Sequence, residues 1–156
     1  MPPAMSSSPS SASIQAGRPI ATAGVIGTGS MGRGIAQVLA EAGVVVRLAD
    51  ANPGAAEAAR GFIADMLARK IAKGQCDETH RVATLDRLVV VSAEPQAFVG
   101  VALVVEAIVE ALDVKRRLFS GLEPAVGPDC ILASNTSSLS VTAIAAGCAV
   151  PERVAG

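Results

Sequence analysis

The sequence has a single histidine, His80, and only three cysteines, Cys76, Cys130 and Cys148. The cysteines are odd in number and far apart, with no Cys-x-x-Cys pair, so neither a disulfide framework nor a zinc site is indicated. No metal is expected, and a reducing cytoplasm suits the free thiols. Basic charge is equally scarce: 13 Lys and Arg stand against 14 Asp and Glu, for a net charge of -1. Without a basic run there is no track for a phosphate backbone, and nucleic acid is not an expected partner. Long apolar runs are also missing. The most apolar late stretch, Val99 to Ile108, ends against Glu110, well short of the ~20 residues that cross a bilayer. No membrane partner is expected.

Residues 1–20 hold Pro, Ser and Gly around Met5 and Ile14 and lack the apolar core of a signal peptide. They read as a disordered leader. The remainder, 21–156, reads as one domain, since 156 residues with 51% apolar content can bury one substantial core.

Thr22 to Ile26 is a short strand candidate that runs into Gly27, Gly29 and Gly32. A helix follows at once, because Ile35, Val38, Leu39 and Ala42 fall on one face and Gly43 supplies a stop. Val44 to Ala49 is a second strand with Asp50 at its carboxyl end, and Asn52-Pro53 turns into a long helix over 54–73. Further strands are expected at Leu88–Val91, Ala102–Glu106 and Ile131–Ser134. A helix over Asp113–Leu122 would present Val114, Leu118, Phe119 and Leu122, and a short helix over Thr142–Ala146 runs into Gly147. The tail from Cys148 shows no periodicity. Apolar strands alternating with helices predict an α/β fold, a doubly wound parallel sheet with helices on both faces and right-handed connections.

Gly27-Thr28-Gly29-Ser30-Met31-Gly32 fits Gly-x-Gly-x-x-Gly. The pattern is weak alone, but here it follows a strand, opens a helix and precedes an acid at the end of the next strand. That is the context of a Rossmann dinucleotide site. Gly27 permits the tight turn, the bare backbone at Gly29 lets a pyrophosphate approach, and Gly32 lets the helix lie close to the strand. Free N–H groups at the helix start then face the phosphates. Asp50 is placed to accept from the adenosine ribose hydroxyls and to repel the extra phosphate of NADP, so NAD is the expected cofactor. Arg47 is the one cation close enough in sequence to argue otherwise, although it lies inside the strand.

Three ordered segments, Val25 to Ala36, Val104 to Glu110 and Ser134 to Leu139, resemble the L-3-hydroxyacyl-CoA dehydrogenase family, including 3-hydroxybutyryl-CoA dehydrogenases, over about residues 21–156. The resemblance implies NAD-dependent oxidoreductase chemistry on an acyl-CoA. It places Glu110 and Lys115 beside the nicotinamide half of NAD and Asn135 near the nicotinamide ribose. It also makes Ser137 a donor that reaches both the ring region and the substrate, and puts Lys73 near coenzyme A. From the residues alone, Glu110 and Lys115 also read as two surface charges, Asn135 as a turn residue, and Ser137 or Ser140 as a helix cap. Lys73 reads equally well as favourable charge at a helix C-terminus.

In the family the base is a histidine in a Gly-x-His-Phe-Phe-Asn-Pro motif, followed by a helical domain that makes most of the homodimer contact. The sequence reaches Gly156 where that motif is expected, so the domain reads as truncated before it and inactive alone. His80 sits among Asp77, Glu78 and Thr79, without that context, and reads as a solvent-facing helix residue. Two other readings remain: a non-catalytic protein that keeps the fold, as some lens crystallins do, and an NAD-dependent dehydrogenase of free hydroxy acids.

Overall fold

β1 (Thr22–Ile26) lies at the centre of a six-stranded, fully parallel sheet, and the computed structural model describes residues 19–156 around it. The leader expected over 1–20 falls outside the described residues except for Pro19 and Ile20. After β1 come α1 (Ser30–Glu41), β2 (Val45–Ala49), α2 (Ala55–Ala72), α3 (Glu78–Asp86) and β3 (Leu88–Val90). The second half runs β4 (Leu103–Glu106), α4 (Leu112–Leu122), β5 (Ile131–Ser134), α5 (Val141–Ala145) and β6 (Val154–Ala155). The strand order is β3-β2-β1-β4-β5-β6, the doubly wound order in which the order of winding reverses between β1 and β4.

Alternate residues along each strand feed two separate cores, one on each face of the sheet. Val25, Val46 and Leu48 meet Ala36 and Ala40 of α1 and Ala56, Ala59, Ile63 and Leu67 of α2. Ile26, Ala49, Val104 and Leu132 meet Phe98, Phe119, Leu122 and Ile144 on the other face. Phe98 is fully buried, and a Cβ at Gly24 would stand 2.5 Å from its ring. The glycine in β1 therefore makes room for the ring, whose loss would cost about 3–5 kcal/mol.

The first helix is turned relative to the sequence expectation. Gly32, Ala36 and Ala40 face the sheet, Ile35 and Leu39 are only partly buried, and Val38 is 66% exposed. Small residues win this face because α1 packs so closely that a Cβ at Gly32 would lie 1.7 Å from the Gly27 carbonyl oxygen. The expected stop is present. Gly43 adopts φ 96°, with Gly43 N–H donating to Ala40 and Val44 N–H to Leu39, a Schellman ending.

Three further features add to the sequence expectation. In α4 the inward row is Lys115, Phe119 and Leu122, while Val114 is exposed. The polar stretch containing His80 forms α3, capped by the Asp77 side chain on His80 N–H. The tail from Cys148 is also ordered. A turn over Pro151–Arg153 leads into β6, and Arg153 Nη2 and Nε donate to the carbonyls of Gly127 at 2.6 Å and Cys130 at 3.0 Å.

Candidate functional site

The carboxyl ends of β1, β2, β4 and β5 form one edge, and the glycine loop crosses its middle. Gly27 has φ 97°, a conformation that L side chains rarely adopt, and a Cβ there would be 2.4 Å from the Ala107 carbonyl oxygen. Gly29 differs in kind. Its φ is -61°, nothing lies within 4 Å of a Cβ placed on it, and as N-cap of α1 it offers no side-chain hydrogen bond. The first turn of α1 therefore keeps its N–H groups without a side-chain cap, under open space beside exposed Ser30 and Met31. A pyrophosphate fits this cradle.

Asp50 follows β2 directly. Its Oδ2 accepts from the backbone N–H and the hydroxyl of Thr28, both at 2.8 Å, and its Oδ1 accepts from Asn52 N–H at 2.9 Å and Asn52 Nδ2 at 3.1 Å. Partial burial pushes the carboxyl up, but bonds from Asn52 N–H, then Thr28, outweigh it and hold the carboxyl below the ordinary aspartate range. The acid is thus kept ionised and aimed at the glycine loop. A ribose diol reaching it would take the places of the Thr28 hydroxyl and the Asn52 amide, the two donors that can rotate away.

Neither nearby arginine competes for a ribose phosphate. Arg47 Nη1 donates to the carbonyls of Ala97 at 2.8 Å and Val99 at 2.7 Å, clamping β2 to the turn that carries Phe98. Arg33 stacks over the Phe62 ring with its guanidinium carbon 3.8 Å from the centroid.

The ends of β4 and β5 carry a polar network that the residue types alone did not reveal. Glu106 is fully buried and Lys115 is 1% exposed, with Nζ 2.9 Å from Glu106 Oε1. Glu106 Oε1 also accepts from Ile108 N–H at 2.8 Å, and Oε2 accepts from the Ser134 hydroxyl at 2.6 Å. Lys115 Nζ reaches on to Glu110 Oε2 at 3.4 Å, and Glu110 accepts from the Thr136 hydroxyl. The Thr136 bond, aided by Lys115, holds the Glu110 carboxyl below the usual glutamate range. Lys115 is therefore no surface charge, whereas the Glu110 side chain is 41% exposed. Neither Glu106 nor Ser134 stood out as a polar partner in the sequence; the one available signal was a glutamate closing an otherwise apolar strand.

The loop after β5 places Asn135 half-buried and Ser137 exposed, and Ser140, rather than Ser137, caps α5 by accepting from Ala143 N–H. The structure thus gathers Gly27 to Gly32, Asp50, Glu110, Lys115, Asn135 and Ser137 on one sheet edge. Lys73 does not join them. It lies exposed just past α2, three residues after Lys70, which pairs at 2.9 Å with Glu41 at the far end of α1 from the glycine loop. His80 is at that same remote end, with Nε2 4.0 Å from Glu41. Among the described residues no group of three His, Cys, Asp or Glu could hold a metal, and no helix is long and apolar enough to cross a membrane.

Residues 22–156 match the family described as 3-hydroxyacyl-CoA dehydrogenase, NAD binding domain. The chain is 42% identical over 132 residues to a probable 3-hydroxybutyryl-CoA dehydrogenase of Bacillus subtilis, covering 85% of this chain and 46% of that protein. It is 41% identical over 137 residues to a 3-hydroxyadipyl-CoA dehydrogenase of Escherichia coli, covering 88% of this chain and 29% of that one. A crystal structure of 3-hydroxybutyryl-CoA dehydrogenase from Escherichia coli superposes with a TM-score of 0.84 at 39% identity, covering 88% of this chain and 29% of that one. The chain thus spans less than half the length of these relatives.

Proposed function

We propose that this chain, which belongs to the 3-hydroxyacyl-CoA dehydrogenase family as an NAD-binding domain, is the cofactor half of an enzyme that interconverts (S)-3-hydroxyacyl-CoA and 3-oxoacyl-CoA. The observation that carries the reading is a single sheet edge holding an open helix start over Gly29, the ionised Asp50 and the exposed Ser137. The N–H groups of the first turn of α1 hold the pyrophosphate. Asp50 takes the adenosine ribose, while Glu110, Lys115 and Asn135 line the nicotinamide half. When bound, NAD supplies the acceptor for the hydride that leaves the hydroxyl-bearing carbon.

The Ser137 hydroxyl donates to the substrate oxygen and polarises it, but a hydroxyl without a partner base cannot take the proton. His80 stands at the opposite end of α1. The proton acceptor therefore comes from a part of the enzyme outside residues 19–156, such as the family's histidine motif. Lys73, at the end of α2 away from this sheet edge, has only the family resemblance to connect it with coenzyme A. The same reading makes acyl-CoA the substrate, the cytoplasm the setting and a homodimer the assembly, with its contacts in a further helical domain.

The test is a titration of the 156-residue chain with NADH, followed by acetoacetyl-CoA reduction by the chain and by a protein extended through the histidine motif. Binding by both and turnover only by the longer protein is expected, because loss of a general base alone costs about 10²–10⁴ in rate. Turnover of free hydroxy acids but not CoA thioesters, or NADH binding without any turnover by the longer protein, would replace this reading with one of the two alternatives.

A further inference from the structure

The ion pair between Glu106 and Lys115 is out of contact with water, and a buried pair of this kind is rarely more stabilising than apolar residues of equal size. Its position suggests a use other than stability. Glu106 closes β4, opposite Ile26 of β1 on one side and Ser134 of β5 on the other. With the pyrophosphate over α1 and the adenosine ribose toward β2, the other half of a dinucleotide has to run over the ends of β4 and β5. There, a continuous relay passes from Ser134 to Glu106, Lys115, Glu110 and Thr136, whose Oγ1 accepts from Leu139 N–H at 3.0 Å. The loop that carries Asn135 and Ser137 is thereby held at its root by Ser134 and in its middle by Thr136.

We propose that Glu106 is a positioning residue for the nicotinamide half of the cofactor: it holds Lys115 and Ser134, and through them sets Glu110 and the Asn135–Leu139 loop against the ring, without itself touching the cofactor. The inference rests on the NAD reading above. Its distinguishing consequence is selectivity, because the Asp50–Thr28 pair that serves the adenosine half shares no member of the relay.

The experiment compares ADP, which lacks both the nicotinamide and its ribose, with NADH as calorimetric ligands for the parent chain, Glu106→Gln and Ser134→Ala. Glu106→Gln keeps the size of the side chain and removes the charge. NADH affinity should fall about tenfold or more, the scale of a lost bond to a charged group, while ADP affinity stays within about twofold. Ser134→Ala removes one anchor of Glu106 and leaves the ion pair, so a smaller loss with the same selectivity is expected. If Glu106→Gln does not fold, Ser134→Ala decides. Equal losses for both ligands, or unchanged NADH affinity, overturn the proposal. Binding of neither ligand by the parent overturns the NAD reading and this inference together.

Discussion

Asp50 Oδ2 accepts two hydrogen bonds from one residue, the backbone N–H and the hydroxyl of Thr28, each at 2.8 Å. This pair of hydrogen bonds ties the end of β2 to the loop that opens α1, so the acid proposed for the ribose and the turn proposed for the phosphates are held together. Asp50→Ala removes a charged acceptor and this tether together. NAD binding should weaken by about 1–3 kcal/mol, measured by calorimetry. Equal affinity for variant and parent would remove Asp50 from the site.

The same carboxylate shapes the response to acid. Its pKa is lower in the folded chain than in the unfolded one, so ionised Asp50 adds stability that is fully present above the ordinary aspartate pKa. That stability is lost as pH falls through the depressed folded value, in a window below about pH 4. Denaturant melts of the parent and Asp50→Asn should therefore differ by a constant amount near neutral pH and converge in acid. A gap that widens in acid would contradict the assignment.

Gly29 and Gly32 separate binding from packing. A Cβ at Gly29 meets nothing, whereas one at Gly32 would sit 1.7 Å from a backbone oxygen. Gly29→Ala should melt close to the parent and lose NADH binding, because the methyl occupies the approach of the pyrophosphate. Gly32→Ala should lose about 1–3 kcal/mol of stability from overpacking before any ligand is added. Normal NADH affinity in Gly29→Ala would displace the phosphates from this loop.

Arg47 is committed to two carbonyls, which fixes the outcome of its removal. Arg47→Ala should destabilise the chain by about 1–2 kcal/mol, as expected for charge-assisted bonds that are partly open to solvent, and leave the preference for NAD over NADP unchanged. A shift in that preference, read from paired titrations, would show the guanidinium free to reach the ribose.

Elements whose signals are local are legible in the order of residues alone. A glycine with positive φ at the loop, a Schellman glycine after α1, apolar strands and an acid at a strand end are written in consecutive residues, and they locate β1, α1, β2 and Asp50 with little help from the rest of the chain. Tertiary structure decided what depends on register and approach. Lys115 reads as an ordinary surface charge until β4 and α4 are brought together, and Glu106 meets Ser134 only because β4 and β5 pair in that register. The inward face of α1 went to Gly32, Ala36 and Ala40 instead of its larger apolar residues, because contact with the Gly27 turn leaves space only for small side chains. β6 is too short to show a period, and it exists because the edge of β5 offers it partners while Arg153, just before it, is tied to the Cys130 carbonyl. Periodicity reports a residue's neighbours along the chain, whereas burial of a charge or exposure of a valine depends on which distant segment arrives opposite it.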